Sequence, residues 1–345
     1  MIEDSFNAFE PASDWHRIQT LDTHTGGEPL RIVTDGLPKL TGETILEKRR
    51  YMRKELDDYR KMLMWEPRGH ADMYGAVITE PTADEADFGV LFLHNEGYST
   101  MCGHAIIALG TIAVETNAIS KSPGDEVVIE TPAGLVRTWT HMTDSRVESV
   151  SFSNVPCFVY ERNVTVDVPK YGTVECDIAF GGAFYAYCEA SQFGVRLEPD
   201  NVQTLIDIGQ KVKAAVSNTV DIEHPTEDDL GFLYGTILTD TPDADEVDSR
   251  NVCIFADGEV DRCPTGTGVS GRVALRADDG RLAPQEEFTV ESIIGSVFTG
   301  HYENETTFRG YSAVCPIIQG TAHVTGRHEF LVDPTDPFGD GFILR

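Results

Sequence analysis

"YSTMCGHAIIALG", residues 98–110, decides how the chain is read, because a cysteine, a glycine and a histidine stand where a polar loop turns into an apolar helix. A cysteine that opens a helix lies beside unpaired backbone N–H groups and the positive end of the helix dipole. Both favour thiolate over thiol, so a free pKa of about 8.5 is expected to fall into the working range of a base or nucleophile. The glycine lets a ligand approach the backbone, and the amides of Gly103 and His104 then form a receptor for a carboxylate. The bland alternative is a buried cysteine beside a helix cap. His104 is not expected to pair with Cys102, since side chains two apart on a helix do not face each other.

A second stretch, "DRCPTGTGVSGRVAL" at 261–275, has the same loop-to-helix shape. The strand-like run "VLFLHNE" leads into the first loop and "VCIFADGEV" into the second. Upstream, "THTGGEPLRIV" (23–33) is echoed by "AFGGAFYAYC" (179–188), each with a Gly-Gly pair between strand-like runs. Echoes in one order at similar spacing point to a duplicated half. That register sets Cys102-Gly103-His104 against Thr265-Gly266-Thr267. It predicts a boundary near 150, with halves 1–150 and 151–324, the first completed by segment 325–345, and a cleft between them. Gly26-Gly27 and Gly181-Gly182 are expected as tight turns near that cleft. Tyr74 and Phe255 are candidate pocket walls, or core aromatics. Gly266-Thr267-Gly268 is neither a Walker loop nor a complete GxGxxG.

Short β runs punctuated by Gly, Pro and Asp outnumber the helical windows at 41–64, 103–117, 200–216 and 267–278, which predicts an α+β protein. The stretch "RRYMRKELDDYRKML" reads as a solvated helix face, with Arg49-Arg50 as a candidate contact in a homodimer. Seven cysteines without a CxxC pair, and histidines without HExxH spacing, speak against zinc, disulfide frameworks or any metal site. Cys157, Cys176, Cys188, Cys253 and Cys315 lie in strand-like surroundings and are expected to be packed.

The formal charge is −30, from 57 acids against 27 bases, only 8 of them lysine. Such a field repels nucleic acid and anionic lipid, which excludes both as partners. An acid-rich, lysine-poor surface suits a cytosol of very high salt, where screening reduces self-repulsion. No apolar run approaches the roughly 18 residues of a membrane span. "MIEDSFNAFEPASDW" lacks the basic start and apolar centre of a secretion signal, so a cytoplasmic protein is expected.

"HTGGEPLR" (24–31), "RRYMR" (49–53), "EPRGH" (66–70), "DMYGA" (72–76), "FLHNEGYSTMCGHA" (92–105), "GGAFYA" (181–186), "LYGTILTD" (233–240), "PTGTG" (264–268) and "GSVFTG" (295–300) together resemble the proline racemase family. The resemblance runs from about residue 20 onward. It implies the fold of diaminopimelate epimerase: two pseudo-symmetric domains, an active site in the cleft between them, a small imino-acid substrate and no cofactor. Racemases of the family place two cysteines on opposite faces of the proline ring. Cys102 matches the first. Where the racemase pattern reads D-R-S-P-C-G, this chain reads Asp261-Arg262-Cys263-Pro264-Thr265-Gly266, so Thr265 holds the second cysteine's place and Cys263 the serine's.

A threonine hydroxyl ionises too far above neutrality to draw a proton from carbon. The substitution resembles the branch of the family that dehydrates trans-3-hydroxy-L-proline with one base. The 3-hydroxyl of the trans isomer shares a ring face with the C2 hydrogen, so one thiol on that face suffices. The resemblance implies carboxylate binding by the amides of Gly103, His104, Gly266 and Thr267, and ring-amine binding by Asp261. Cys102, Thr265 and Tyr74 are the candidates for protonating the departing hydroxide. A racemase or 4-hydroxyproline epimerase using Cys263, and a binding protein without turnover, are the alternatives. The lyase reading requires sulfur on one face of the ring alone.

Overall fold

Two series of strands repeat one pairing pattern. The computed structural model describes residues 2–242 and 244–344; Met1, Asp243 and Arg345, which the expected domain ranges include, lie outside the described residues. The first series is β1 (His16–Thr25), β2 (Glu28–Asp35), β3 (Tyr74–Thr79), β4 (Phe88–His94), β5 (Val127–Thr131), β6 (Gly134–Thr143) and β7 (Arg146–Ser153). The second is β8 (Cys157–Val168), β9 (Gly172–Phe180), β10 (Phe184–Glu189), β11 (Leu233–Asp240), β12 (Ser249–Phe255), β13 (Glu259–Val260), β14 (Phe288–Ser292), β15 (Val297–Phe308) and β16 (Tyr311–Gly320). The last strand is β17 (Ala322–Val332). The helices are α1 (Ile2–Asn7), α2 (Ile45–Glu55), α3 (Asp57–Met64), α4 (Gly103–Glu115), α5 (Val202–Thr219) and α6 (Gly266–Asp278).

From β1 to β6 successive pairs run antiparallel, parallel, antiparallel, parallel, antiparallel. The series β9, β10, β11, β12, β14, β15 repeats that alternation. Hairpins β6–β7 and β15–β16 follow, and β7 pairs with β16 to join the two series. The edge of β9 is covered by β8, and the edge of β1 by β17, whose Ala322 lies opposite Thr25 and Val332 opposite His16. Position 150 falls inside β7 and position 324 inside β17.

Each series wraps a helix. Every residue of α4 from Gly103 to Val114 is buried, as an apolar helix without a polar face requires. It packs on β1, β2, β6, β7, β16 and β17, while α6 packs on β8, β9, β15 and β16. The chain is thus the mixed α+β protein expected, with a helix N-terminus from each half aimed at the centre.

Two sequence expectations need correction. The window 41–64 is two helices that meet at Leu56, the first capped by the Thr44 hydroxyl, which accepts from the Glu47 amide at 3.2 Å. The face carrying Arg49 and Arg50 is not simply solvated. Arg49 is buried and donates to the Tyr98 carbonyl at 2.7 Å, and Arg50 Nε meets Asp229 at 2.8 Å. The second half supplies Asp229, so both arginines find an acidic partner within the chain. Among the described residues no helix is long and apolar enough to cross a membrane.

Candidate active site

Cys102 is the residue before α4, in extended conformation with φ −147° and ψ 106°. Thr265 is the residue before α6, with φ 67° and ψ 95°. A β-branched residue in the left-handed region is strained, and such strain concentrates at functional sites. The Cys102 carbonyl accepts from the Ile106 amide at 3.0 Å and the Thr265 carbonyl from the Val269 amide at 2.7 Å. The amides of residues 103–105 and 266–268 therefore precede the first helical hydrogen bond on each side. One narrow cavity lies between the two helix ends, and Gly103, His104, Gly266 and Thr267 all line it.

The glycine pairs brace this arrangement reciprocally. Gly26 and Gly27, at φ 58° and 92°, turn β1 into β2, and the Gly26 carbonyl accepts from Ser296 Oγ at 2.8 Å. A side chain on Gly26 would meet Cys263, so the turn of the first half touches the loop of the second. Conversely, the Gly182 carbonyl accepts from Thr100 Oγ1 at 2.7 Å, which ties the turn of the second half to the loop of the first.

The structure brings all the expected side chains to the cavity: Cys102, Thr265, Asp261, Tyr74 and Phe255 line it together. Asp261 accepts from the Cys263 amide at 2.8 Å through Oδ1 and from Thr265 Oγ1 at 2.7 Å through Oδ2. Tyr74 stands edge-on to His104 with ring centroids 4.8 Å apart, and Phe255 stacks on Tyr234 at 5.4 Å. The Tyr74 hydroxyl is engaged by Ser99 Oγ and lies 3.4 Å from that of Tyr234. Cys263 is fully buried outside the cavity lining, with its sulfur accepting from the Thr265 amide at 3.3 Å.

Sequence reasoning missed five lining residues, Glu28, Met101, Tyr185, Tyr234 and Cys253. Cys253 was expected as a packed strand cysteine; it is packed, but its strand ends in the cavity wall. A second thiol therefore lies in the pocket, mid-strand and not at a helix opening. Burial and the nearby Asp261 charge push its thiol well above the ordinary range.

The expectation that Cys102 and His104 do not face each other is wrong. Cys102 Sγ lies 3.1 Å from His104 Nδ1, because Cys102 sits outside the helix and its extended backbone folds the sulfur back over the first turn. The expected lowering of the Cys102 pKa is reversed as well. Burial pushes the thiol well up, and the negative charges of Asp261 and Glu28 add to this; hydrogen bonds from the Ala105 amide and Tyr74 pull the other way. Burial also drives the His104 imidazole down to about 3, opposed by its hydrogen bond to the Pro29 carbonyl. Both shifts favour the neutral forms, so a thiol and an imidazole ring stand within hydrogen-bond distance of each other. His104, Asp261 and Cys263 each turn one ligand-type atom to within 4.8 Å of the others. Both Asp261 oxygens already accept hydrogen bonds and burial keeps the Cys263 thiol protonated, so this set suits proton handling better than metal binding.

The family model described as proline racemase matches residues 20–343. The chain belongs to the proline racemase family. Among its relatives in that family, a protein of Xenopus tropicalis named trans-L-3-hydroxyproline dehydratase is 47% identical over 97% of each chain. One of Burkholderia multivorans named 3-hydroxyproline 2-epimerase is 45% identical over 95% of this chain and 98% of its own. The crystal structure of a hydroxyproline epimerase of Agrobacterium vitis with bound trans-4-hydroxy-L-proline superimposes with a TM-score of 0.88 at 30% identity, covering 95% of this chain and 96% of that one. The proline racemase fold, with its two pseudo-symmetric halves and central cleft, is thus the fold of this protein.

Proposed function

We propose that this chain is a trans-3-hydroxy-L-proline dehydratase, a hydro-lyase with Cys102 as its single carbon base. The observation that carries the reading is the asymmetry of the two helix openings: a thiol before α4 faces, across one cavity, an alcohol before α6 whose proton is already given to Asp261. The dehydratase name of the Xenopus relative supports it.

The substrate carboxylate lies on the amides of Gly103, His104, Gly266 and Thr267, and its ring ammonium against Asp261. The amide dipoles of two helix ends offset the charge that grows on the carboxylate side as C2 loses its proton. The ammonium offsets the carboxylate charges that hold the Cys102 thiol up, which leaves the Ala105 amide at the helix end and the Tyr74 hydrogen bond free to favour the thiolate, its proton passing to water. Cys102 Sγ takes the C2 proton, the C–H electron pair forms the C2=C3 bond, and the C3–O bond breaks. The departing hydroxide leaves from the face that Cys102 occupies and receives the proton from its sulfur as water. Tyr74, engaged by Ser99 and Tyr234, and Thr265, engaged by Asp261, are less suited to that donation. The cyclic enamine then gains a proton at C3 and loses one at nitrogen, giving Δ1-pyrroline-2-carboxylate. The reaction as written calls on no group beyond these side chains and backbone amides. As part of the same proposal, the enzyme works in the cytoplasm on a free imino acid.

The second reading, a 2-epimerase, is favoured by Cys253, the second thiol in the wall, and by the name of the Burkholderia relative. The two are separated by the product. The dehydratase forms pyrroline carboxylate, detected with o-aminobenzaldehyde, from trans-3-hydroxy-L-proline and not from its 4-hydroxy isomer. In deuterated water it exchanges the C2 hydrogen of L-proline without inversion. Inversion to D-proline would reject it, and binding without exchange would favour a protein that has lost turnover.

A further inference from the structure

Glu28 opens β2 immediately after the Gly26–Gly27 turn and is fully buried. Its Oε2 accepts from the Arg262 amide at 2.8 Å and from Arg262 Nη1 at 3.3 Å. Its Oε1 is buried with no hydrogen-bond partner among the described residues, and the residue lines the cavity beside Cys102, Asp261 and Thr265. A buried carboxyl oxygen left unpaired is costly, so a group that completes it inside the cavity is expected. A cyclic secondary ammonium carries two N–H groups, and Asp261 alone, with each oxygen already accepting one bond, faces only part of that demand.

We propose that Glu28 is a second anchor for the ring ammonium of the substrate, its free Oε1 accepting one N–H while Asp261 accepts the other. This rests on the reading that the pocket takes a cyclic imino acid. Two acidic groups in one dry pocket do not both ionise readily until a cation arrives between them. Burial and the Asp261 charge raise the Glu28 carboxyl well above its ordinary range, against the pull of Arg262. Burial raises Asp261 too, against its hydrogen bonds. The other groups that feel Glu28 are the thiols of Cys102, Cys253 and Cys263, each pushed further up by its charge. Binding of the ammonium lets the acidic pair ionise fully, releases the proton it held, and offsets the charges that oppose a Cys102 thiolate. Recognition of the amine and activation of the thiol are thereby one event, and a ring without the amine would be refused on both counts.

The test is calorimetric titration of the full chain at neutral pH with L-proline, which lacks the 3-hydroxyl to eliminate, in two buffers of different ionisation enthalpy. Cyclopentanecarboxylate serves as the amine-free comparison. The wild-type protein is expected to release protons on binding L-proline and to prefer it over the carbocycle. Glu28→Gln is expected to bind L-proline at least about tenfold more weakly, to lose the share of the proton release that comes from the acidic pair, and to lose much of that preference. Cys102→Ser is expected to keep that share. Wild-type affinity together with retained release in Glu28→Gln overturns the proposal, as does release that vanishes in Cys102→Ser but persists in Glu28→Gln. Should Glu28→Gln fail to fold, Glu28→Asp carries the test, with weaker binding and retained release expected; wild-type affinity without release overturns the proposal. If pyrroline carboxylate is formed and Glu28→Gln is indistinguishable from wild type, this inference alone falls. If the wild type neither binds L-proline nor dehydrates the 3-hydroxy acid, the functional reading falls and takes this one with it.

Discussion

Gly103 and Gly266 touch backbone to backbone: a Cβ built on Gly103 lies 2.6 Å from the Gly266 Cα, and one built on Gly266 lies 2.8 Å from the Gly103 Cα. Neither main chain can yield without separating α4 from α6, which would move Cys102 and Thr265 apart. Gly103→Ala is expected to cost about 1–3 kcal/mol of stability. A displacement of about 1 Å at the site should lower kcat/KM about 100-fold. Urea unfolding and steady-state kinetics check both, and an alanine variant with wild-type activity would contradict the close approach.

The two cysteines of the motif loops should separate cleanly. Cys102→Ser removes the carbon base and is expected to lower dehydration by about three orders of magnitude or more. Cys263→Ser is expected to keep most of it, because that sulfur lies outside the cavity lining, and its hydrogen bonds, from the Thr265 amide and to Asp261, are ones a hydroxyl can also make. Product formation under saturating substrate decides, and equal loss in both variants would refute the assignment.

His104 ties stability to pH. Its folded pKa of about 3 lies below the unfolded value of 6.5, so the unfolded chain binds the extra proton between those limits. The contribution of the neutral ring is therefore complete above pH 6.5 and is lost as pH falls toward 3. The slope is about 1.4 kcal/mol per pH unit. Urea unfolding from pH 7 to pH 4 should show the wild type losing stability faster than His104→Asn by about that slope; parallel curves would argue against a buried neutral imidazole.

Salt should stabilise the fold. With a net charge of −30, raising KCl from dilute buffer into the molar range is expected to raise the midpoint of thermal unfolding, since the Debye length falls from about 10 Å at 0.1 M to about 3 Å at 1 M. Equal midpoints across that range would remove the inference of a high-salt cytosol.

Much of the site was legible because it is built from contiguous loops. Cys102-Gly103-His104 and Asp261 through Thr267 each carry their chemistry within a few residues, and the duplicated order of strands put them opposite one another. What escaped comes from single side chains on strands. Cys253, Tyr185 and Tyr234 are indistinguishable in sequence from core residues, since only the end of a strand decides whether a side chain meets core or cavity. Glu28 stood inside a quoted motif, yet an acid after a glycine turn shows its burial only in three dimensions. The Cys102–His104 contact was misjudged because helix spacing was applied to a residue that lies just outside the helix. Arg49 reads as surface in the sequence because its partner Asp229 is far away in the chain.

The pairing of β17 with β1 has a consequence for synthesis. Until residue 332 has left the ribosome, β1 carries one open edge, and the half that supplies Cys102 cannot be sealed while the half that supplies Thr265 is still emerging. Maturation of the first half thus waits on the second, and a fragment cut at the junction near β7 would be born with an adhesive border in place of a covered strand.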